Sequence, residues 1–119
     1  MQSVVLAVED DKFCQEVLKM FLTALKVDFS IASNGQEAVD KYKSRQANLV
    51  LMDLQMPVMD GFQASKAIRA FEKSSNKSKC KIIAISANDD DQTIKDCLNA
   101  GMDSLIKKPL KKDLIAKYL

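Results

Sequence analysis

Four apolar runs in this 119-residue chain end in side chains capable of chemistry. Val4-Val5-Leu6-Ala7-Val8 runs into Glu9, Asp10 and Asp11; Leu49-Val50-Leu51-Met52 into Asp53; Ile82-Ile83-Ala84-Ile85 into Ser86; and Leu105-Ile106 into Lys107 and Lys108. Histidine is absent, so the commonest general base and transition-metal ligand is missing. Any chemistry falls to carboxylates, hydroxyls, lysines or a hard metal ion. Three or more carboxylates in one small cleft repel one another unless a cation compensates. Mg2+ suits such an all-oxygen set, because it takes a few carboxylate or carbonyl oxygens, keeps several waters and accepts a phosphate oxygen. If the run-ends meet, Lys108, Ser86 and a metal would surround three phosphoryl oxygens while Asp53 attacks phosphorus. Acids at strand ends also cap the helix that follows. Asp11 is read that way, whereas Asp10 with Asp53 is read as functional, since neither is needed to end a strand.

The elements that must deliver these residues follow from periodicity. Short β-branched runs alternate five times with longer stretches of helical spacing, without a sequence repeat of 20–50 residues. Strands are expected at 4–8, 27–31, 49–54, 82–86 and 104–106. The first helix is expected to bury Phe13, Val17, Met20, Phe21, Ala24 and Leu25. The second opens on a capping pair, Asn34 and Glu37, ahead of Ala38, Val39 and Tyr42. The third carries Ala64, Ala67, Ile68 and Phe71. The fourth follows Asp89-Asp90-Asp91, read as helix-start acids rather than a metal site, with Ile94, Cys97 and Leu98 inward and Gly101 at its end. The fifth opens at Pro109 and carries Leu110, Leu114, Ile115 and Leu119. EKSSNKSKCK, residues 72–81, reads as a solvated loop. Strand–helix alternation predicts a three-layer α/β sandwich with a parallel sheet and right-handed crossovers. Ligands in such sheets bind beyond the carboxyl ends of the strands, where the order reverses.

The length fits one domain over residues 1–119, with no appended module expected. Hydrophobic residues at 47% and charged residues at 29% give the balance of a soluble globular protein. No apolar run reaches the roughly 20 residues of a membrane helix, and MQSVVLAVED lacks a signal-peptide pattern; the expectation is cytoplasmic. A net charge of +2 with 18 dispersed Lys and Arg gives no nucleic-acid footprint. Cys14, Cys80 and Cys97 lack metal or redox spacing and read as free thiols, with Cys14 and Cys97 expected in the core.

VEDD at 8–11, LMDLQMPVMDG at 51–61, ISA at 85–87 and KKP at 107–109 resemble, in order and spacing, the receiver domains of two-component response regulators across essentially the whole chain. The resemblance implies a flavodoxin-like (βα)5 fold with strand order 2-1-3-4-5. It implies Asp53 as phosphoacceptor, Asp10 as direct Mg2+ ligand, Glu9 as a ligand through water and Gln55 as a backbone-carbonyl ligand. It further implies Ser86 and Lys108 contacting the phosphoryl group, a cis Lys108–Pro109 bond, and Lys107 as a surface charge. A histidine kinase or histidine phosphotransfer domain would be the phosphodonor, with docking beginning near Phe13 and Cys14. The family often places an aromatic residue three before the lysine; Leu105 stands there, so an aliphatic switch with different coupling is expected. AGMDSLIKKPL is similar to receivers of hybrid histidine kinases.

Three other readings compete. An aspartyl-phosphate phosphatase of haloacid-dehalogenase type wants DxD after the first strand, whereas Asp53-Leu54-Gln55 follows the third and lacks the second acid. A flavin module would want a hydroxyl- and glycine-rich loop where Glu9-Asp10-Asp11 stands. A receiver-like module that binds partners without phosphorylation ranks second.

Overall fold

A computed structural model of the chain describes residues 4–54, 56 and 59–119. The elements run β1 (Val4–Val8), α1 (Lys12–Ala24), β2 (Asp28–Ala32), α2 (Gly35–Ser44), β3 (Leu49–Asp53), α3 (Gly61–Ser74), β4 (Lys81–Ser86), α4 (Asp91–Asn99), β5 (Ser104–Lys107) and α5 (Lys112–Ala116). All pairings are parallel, in the order β2-β1-β3-β4-β5. This is the expected three-layer flavodoxin-like arrangement.

The near-continuous apolar strands follow from coverage of both sheet faces. Successive side chains leave a strand on opposite sides, so Leu6, Val8, Val50, Met52, Ile82 and Ala84 join one core layer with α2 and α3. Val5, Ala7, Leu49, Leu51, Ile83 and Ile85 join the other with Leu18 and Leu22 of α1 and Ile115 of α5. The register pairs Val8 with Met52, Asp53 with Ile85 and Ser86 with Lys107, so the chemically capable ends lie side by side at one edge. The first four helix starts are fixed by side-chain caps: Asp11 accepts from the Cys14 N–H, Asn34 from Glu37 and Asp90 from Thr93, while Asp60 and Gln63 form a reciprocal capping box. Gly101 ends the α4 turn at φ +92°.

Four expectations need correction. On α1, Phe13 and Met20 are 76% and 63% exposed, and the buried seam is Leu18 and Leu22 with Phe21 and Leu25 half-buried against it. Two helically spaced apolar stripes overlap there, and the sheet took the second. On α4 only Cys97 is buried, while Ile94 and Leu98 face solvent. α5 begins at Lys112 rather than Pro109 and buries Ile115, leaving Leu114 and Leu119 exposed. Residues 72–81 are not all a solvated loop. α3 continues to Ser74, Cys80 is buried, and Glu72 is buried as an acceptor for the Tyr42 hydroxyl (2.7 Å), the Cys80 N–H (2.8 Å) and Arg69 (2.8 Å). Burial alone would raise the Glu72 pKa, but these donors hold its carboxyl below the ordinary value. Arg69 also donates to the carbonyls of Cys80 and Gly101 and pairs with Asp103 at 2.9 Å, tying α3 to the starts of β4 and β5.

Candidate functional site

Because β1 and β3 are neighbours, their terminal acids converge. One carboxylate oxygen each from Glu9, Asp10 and Asp53 lies within 4.8 Å of the others. Glu9 and Asp53 are almost fully buried, at 4% and 6% exposure, and Asp10 is exposed at the rim. They line a cleft of about 270 Å³ shared with Ser86, Asn88 and Lys108. Lys108 Nζ stands 3.9 Å from both Glu9 Oε1 and Asp53 Oδ1. Its backbone N–H donates to the Ser86 carbonyl at 2.8 Å, which ties the turn after β5 to the end of β4. The Lys108–Pro109 bond is cis, as expected.

Electrostatics mark this end of the sheet. Burial first, and then the charge of Asp53, raise the Glu9 carboxyl to about 7, against the opposing effects of the Asp11 N–H and Lys108. A cleft that disfavours its own ionisation has an affinity for a cation, and an all-carboxylate donor set with no nitrogen or sulfur ligand fits Mg2+. Asp11 behaves as a cap: the Cys14 N–H, at 2.9 Å, holds its carboxyl below the ordinary range. The Cys14 thiol is pushed up to about 11 by its hydrogen bond to Asp11 and by burial, so it is no nucleophile, and it is half-buried at the cleft wall rather than in the core. All three cysteines are free thiols.

Ser86 Oγ accepts the Asn88 N–H at 3.0 Å, and Asn88 in turn bonds Asp90. Asp90 is the α4 N-cap and Asp91 lies in its first turn, while Asp89 faces Lys107 at 3.6 Å, in keeping with a structural role for that acidic run. Leu105 is half-buried against the layer that contains Ala84 and Cys97. Gln55 and Pro57 lie outside the described residues; Asp60 is the α3 N-cap. Gly61 lets α3 start against β3: a Cβ there would stand 2.4 Å from the Asp53 carbonyl oxygen. Beside the acidic cleft is a mostly apolar hollow of about 230 Å³, lined by Phe13, Cys14, Val17, Pro109 and Leu110 and bordered by Glu9 and Lys108. Sequence reasoning missed Gln15, whose amide donates to the Glu9 carbonyl at 2.6 Å; a polar residue on a helix carries no signal of such a contact. Among the described residues no helix is long and apolar enough to cross a membrane.

Comparison with known proteins agrees with this fold. The chain is 38% identical over 118 residues to hybrid signal transduction histidine kinase A of Dictyostelium discoideum, a match covering 95% of this chain and 6% of that protein. The chain therefore spans a small part of the curated relatives it matches. The receiver domain of the response regulator Ssk1 from Saccharomyces cerevisiae, solved with the histidine phosphotransfer signalling protein Ypd1, superposes with a TM-score of 0.92 at 33% identity, covering 98% of this chain and 85% of that one. The receiver domain of sensor histidine kinase PA1611 from Pseudomonas aeruginosa, solved with magnesium in its active-site cleft, gives 0.86 at 31% identity, covering 98% and 93%. The response regulator receiver domain model matches residues 5–119, and the chain belongs to that family.

Proposed function

We propose that this receiver domain, as a single unit over residues 1–119, accepts a phosphoryl group on Asp53 from a phosphohistidine of a histidine kinase or histidine phosphotransfer protein. The convergence of Glu9, Asp10 and Asp53 within 4.8 Å, beside Lys108, carries this reading. Glu9, Asp10, Asp53 and the Gln55 carbonyl would hold Mg2+, which when bound neutralises charge on carboxylate and phosphoryl oxygens. An Asp53 carboxylate oxygen attacks phosphorus, the P–N bond to the donor imidazole breaks, and its electron pair stays on the ring nitrogen, which takes up a proton. Lys108 meets negative charge on the phosphoryl oxygens, and Ser86 exchanges its bond from the Asn88 N–H for one to a phosphoryl oxygen. The product is an acyl phosphate that signals and then hydrolyses, so the domain is a phosphoacceptor rather than a turnover enzyme.

The exposed ring of Phe13 and the apolar hollow beside the cleft support docking of the donor there, since a large unpartnered aromatic at the mouth of a reactive site suits a protein partner. Three free thiols fit a reducing, cytoplasmic setting. The test is to add Mg2+ with a small phosphodonor, or with beryllofluoride as a phosphoryl mimic, to wild type and Asp53→Asn. Wild type gains one phosphoryl group per chain and the variant none. No gain in wild type would leave the unphosphorylated interaction module as the reading, and equal gain in both would move the acceptor away from Asp53.

A further inference from the structure

We propose that Gln15 is a positioning residue for the metal and phosphoacceptor site, acting by fixing the plane of the Glu9–Asp10 peptide. The inference rests on the reading of Glu9, Asp10 and Asp53 as the metal site. Gln15 lies in the second turn of α1, half-buried, with its side chain turned back toward the end of β1. Its amide nitrogen donates to the Glu9 carbonyl at 2.6 Å and lies 3.2 Å from Ser33 Oγ. A backbone carbonyl can only accept, so the side-chain amide has one workable orientation.

The consequence falls on Asp10. Glu9 C=O and Asp10 N–H belong to one rigid peptide plane, and Asp10 projects from its far end. The Glu9 N–H is already held by the Ala32 carbonyl at 2.9 Å; with Gln15 on the carbonyl, the residue is gripped on both sides. Asp10 is exposed, so burial in the core does not aim its carboxylate. Without Gln15 the plane can turn, and the Asp10 oxygen leaves the cluster it forms with Glu9 and Asp53.

Ser33 extends the brace. It precedes Asn34, the α2 N-cap, and the next residue, Gly35, donates its N–H to the Met59 carbonyl at 3.1 Å. The turn from Ser33 to Gly35 therefore joins the β1 wall of the cleft, through Gln15, to the segment that follows Asp53. Groups behind metal ligands typically change affinity by tens of fold when removed.

The decisive comparison is Gln15→Met, similar in length and without a donor, against wild type, with Gln36→Met on α2 as a control for loss of a helix-surface amide. In the metal-free state, removing the hydrogen bond to the Glu9 carbonyl shifts the backbone 15N resonance of Asp10, which shares that peptide. In Mg2+ titrations followed by NMR, the Gln15→Met dissociation constant rises about tenfold or more, while Gln36→Met stays within twofold of wild type. Gln15→Leu, which also lacks the donor and adds no charge, behaves like Gln15→Met and serves should that variant fail to fold. An unmoved Asp10 resonance, or Mg2+ affinity within twofold of wild type in a folded Gln15 variant, overturns the proposal. If wild type binds no Mg2+, the metal-site reading fails and this inference falls with it, whereas wild-type binding with no Gln15 effect removes the inference alone.

Discussion

Glu9→Gln should make the metal-free protein more stable at neutral and higher pH, and by an amount that varies with pH in a defined way. The Glu9 carboxyl is raised from an ordinary value of 4.5 to about 7 by burial and by the nearby charge of Asp53. Between those two values the folded state holds a proton that the unfolded chain releases. Stability from Glu9 is thus fully present below about 4.5 and is lost as pH rises through about 7. A shift of that size corresponds to roughly 3 kcal/mol at pH 8, each unit being about 1.4 kcal/mol. Gln cannot ionise, so the variant should show none of this loss. Urea unfolding from pH 4 to 8 in chelator, with the difference between variant and wild type plotted against pH, measures it. The difference should grow by about 2–3 kcal/mol across the range. Mg2+ at about one hundred times its dissociation constant should return roughly 2.7 kcal/mol to wild type, and less to the variant. A difference that stays flat from pH 4 to 8 would refute the idea that the metal-free cleft disfavours ionisation of Glu9.

Glu72→Ala strips Arg69 of a buried partner and leaves the Cys80 N–H and Tyr42 hydroxyl unsatisfied, so urea unfolding should show a loss of about 3–5 kcal/mol; a loss under about 1 kcal/mol would contradict the buried network. Tyr42→Phe removes one donor to Glu72 and should cost about 1 kcal/mol in the same assay. Gly35→Ala would set a Cβ 2.2 Å from the Met59 carbonyl oxygen, so thermal unfolding should fall by the equivalent of about 1–3 kcal/mol, and an unchanged midpoint would mean that α2 and the Met59 segment are not interlocked. Lys108→Ala should still bind Mg2+ but lose the beryllofluoride-dependent change in its NMR spectrum, and a preserved change would remove the lysine from its role.

The sheet and the cleft were legible in the sequence for a physical reason. A strand covered on both faces is apolar almost throughout, so a charged or hydroxyl residue marks its end, as Glu9, Asp53, Ser86 and Lys107 do. The motif resemblance then supplied the strand order that brings those ends together. The α1 interface was illegible because Phe13-Val17-Met20 and Leu18-Leu22-Leu25 are both sound helical stripes, and only packing against β-strand neighbours selects between them. Glu72 was misread because a charge in a polar run signals solvent, and the three donors that bury it come from α2, from α3 itself and from the residue before β4. Gln15 was invisible for the same reason: its partners, Glu9 and Ser33, stand 6 and 18 residues away.

The Arg69–Glu72–Tyr42 network sits with Cys80 and Asp103 at the starts of β4 and β5, at the opposite pole from the acidic cleft. Substitutions that harden or soften the molecule can therefore accumulate at one pole while reactivity is retuned at the other, because well-separated sites contribute nearly additively. A domain arranged this way can drift in melting temperature between lineages without disturbing its chemistry.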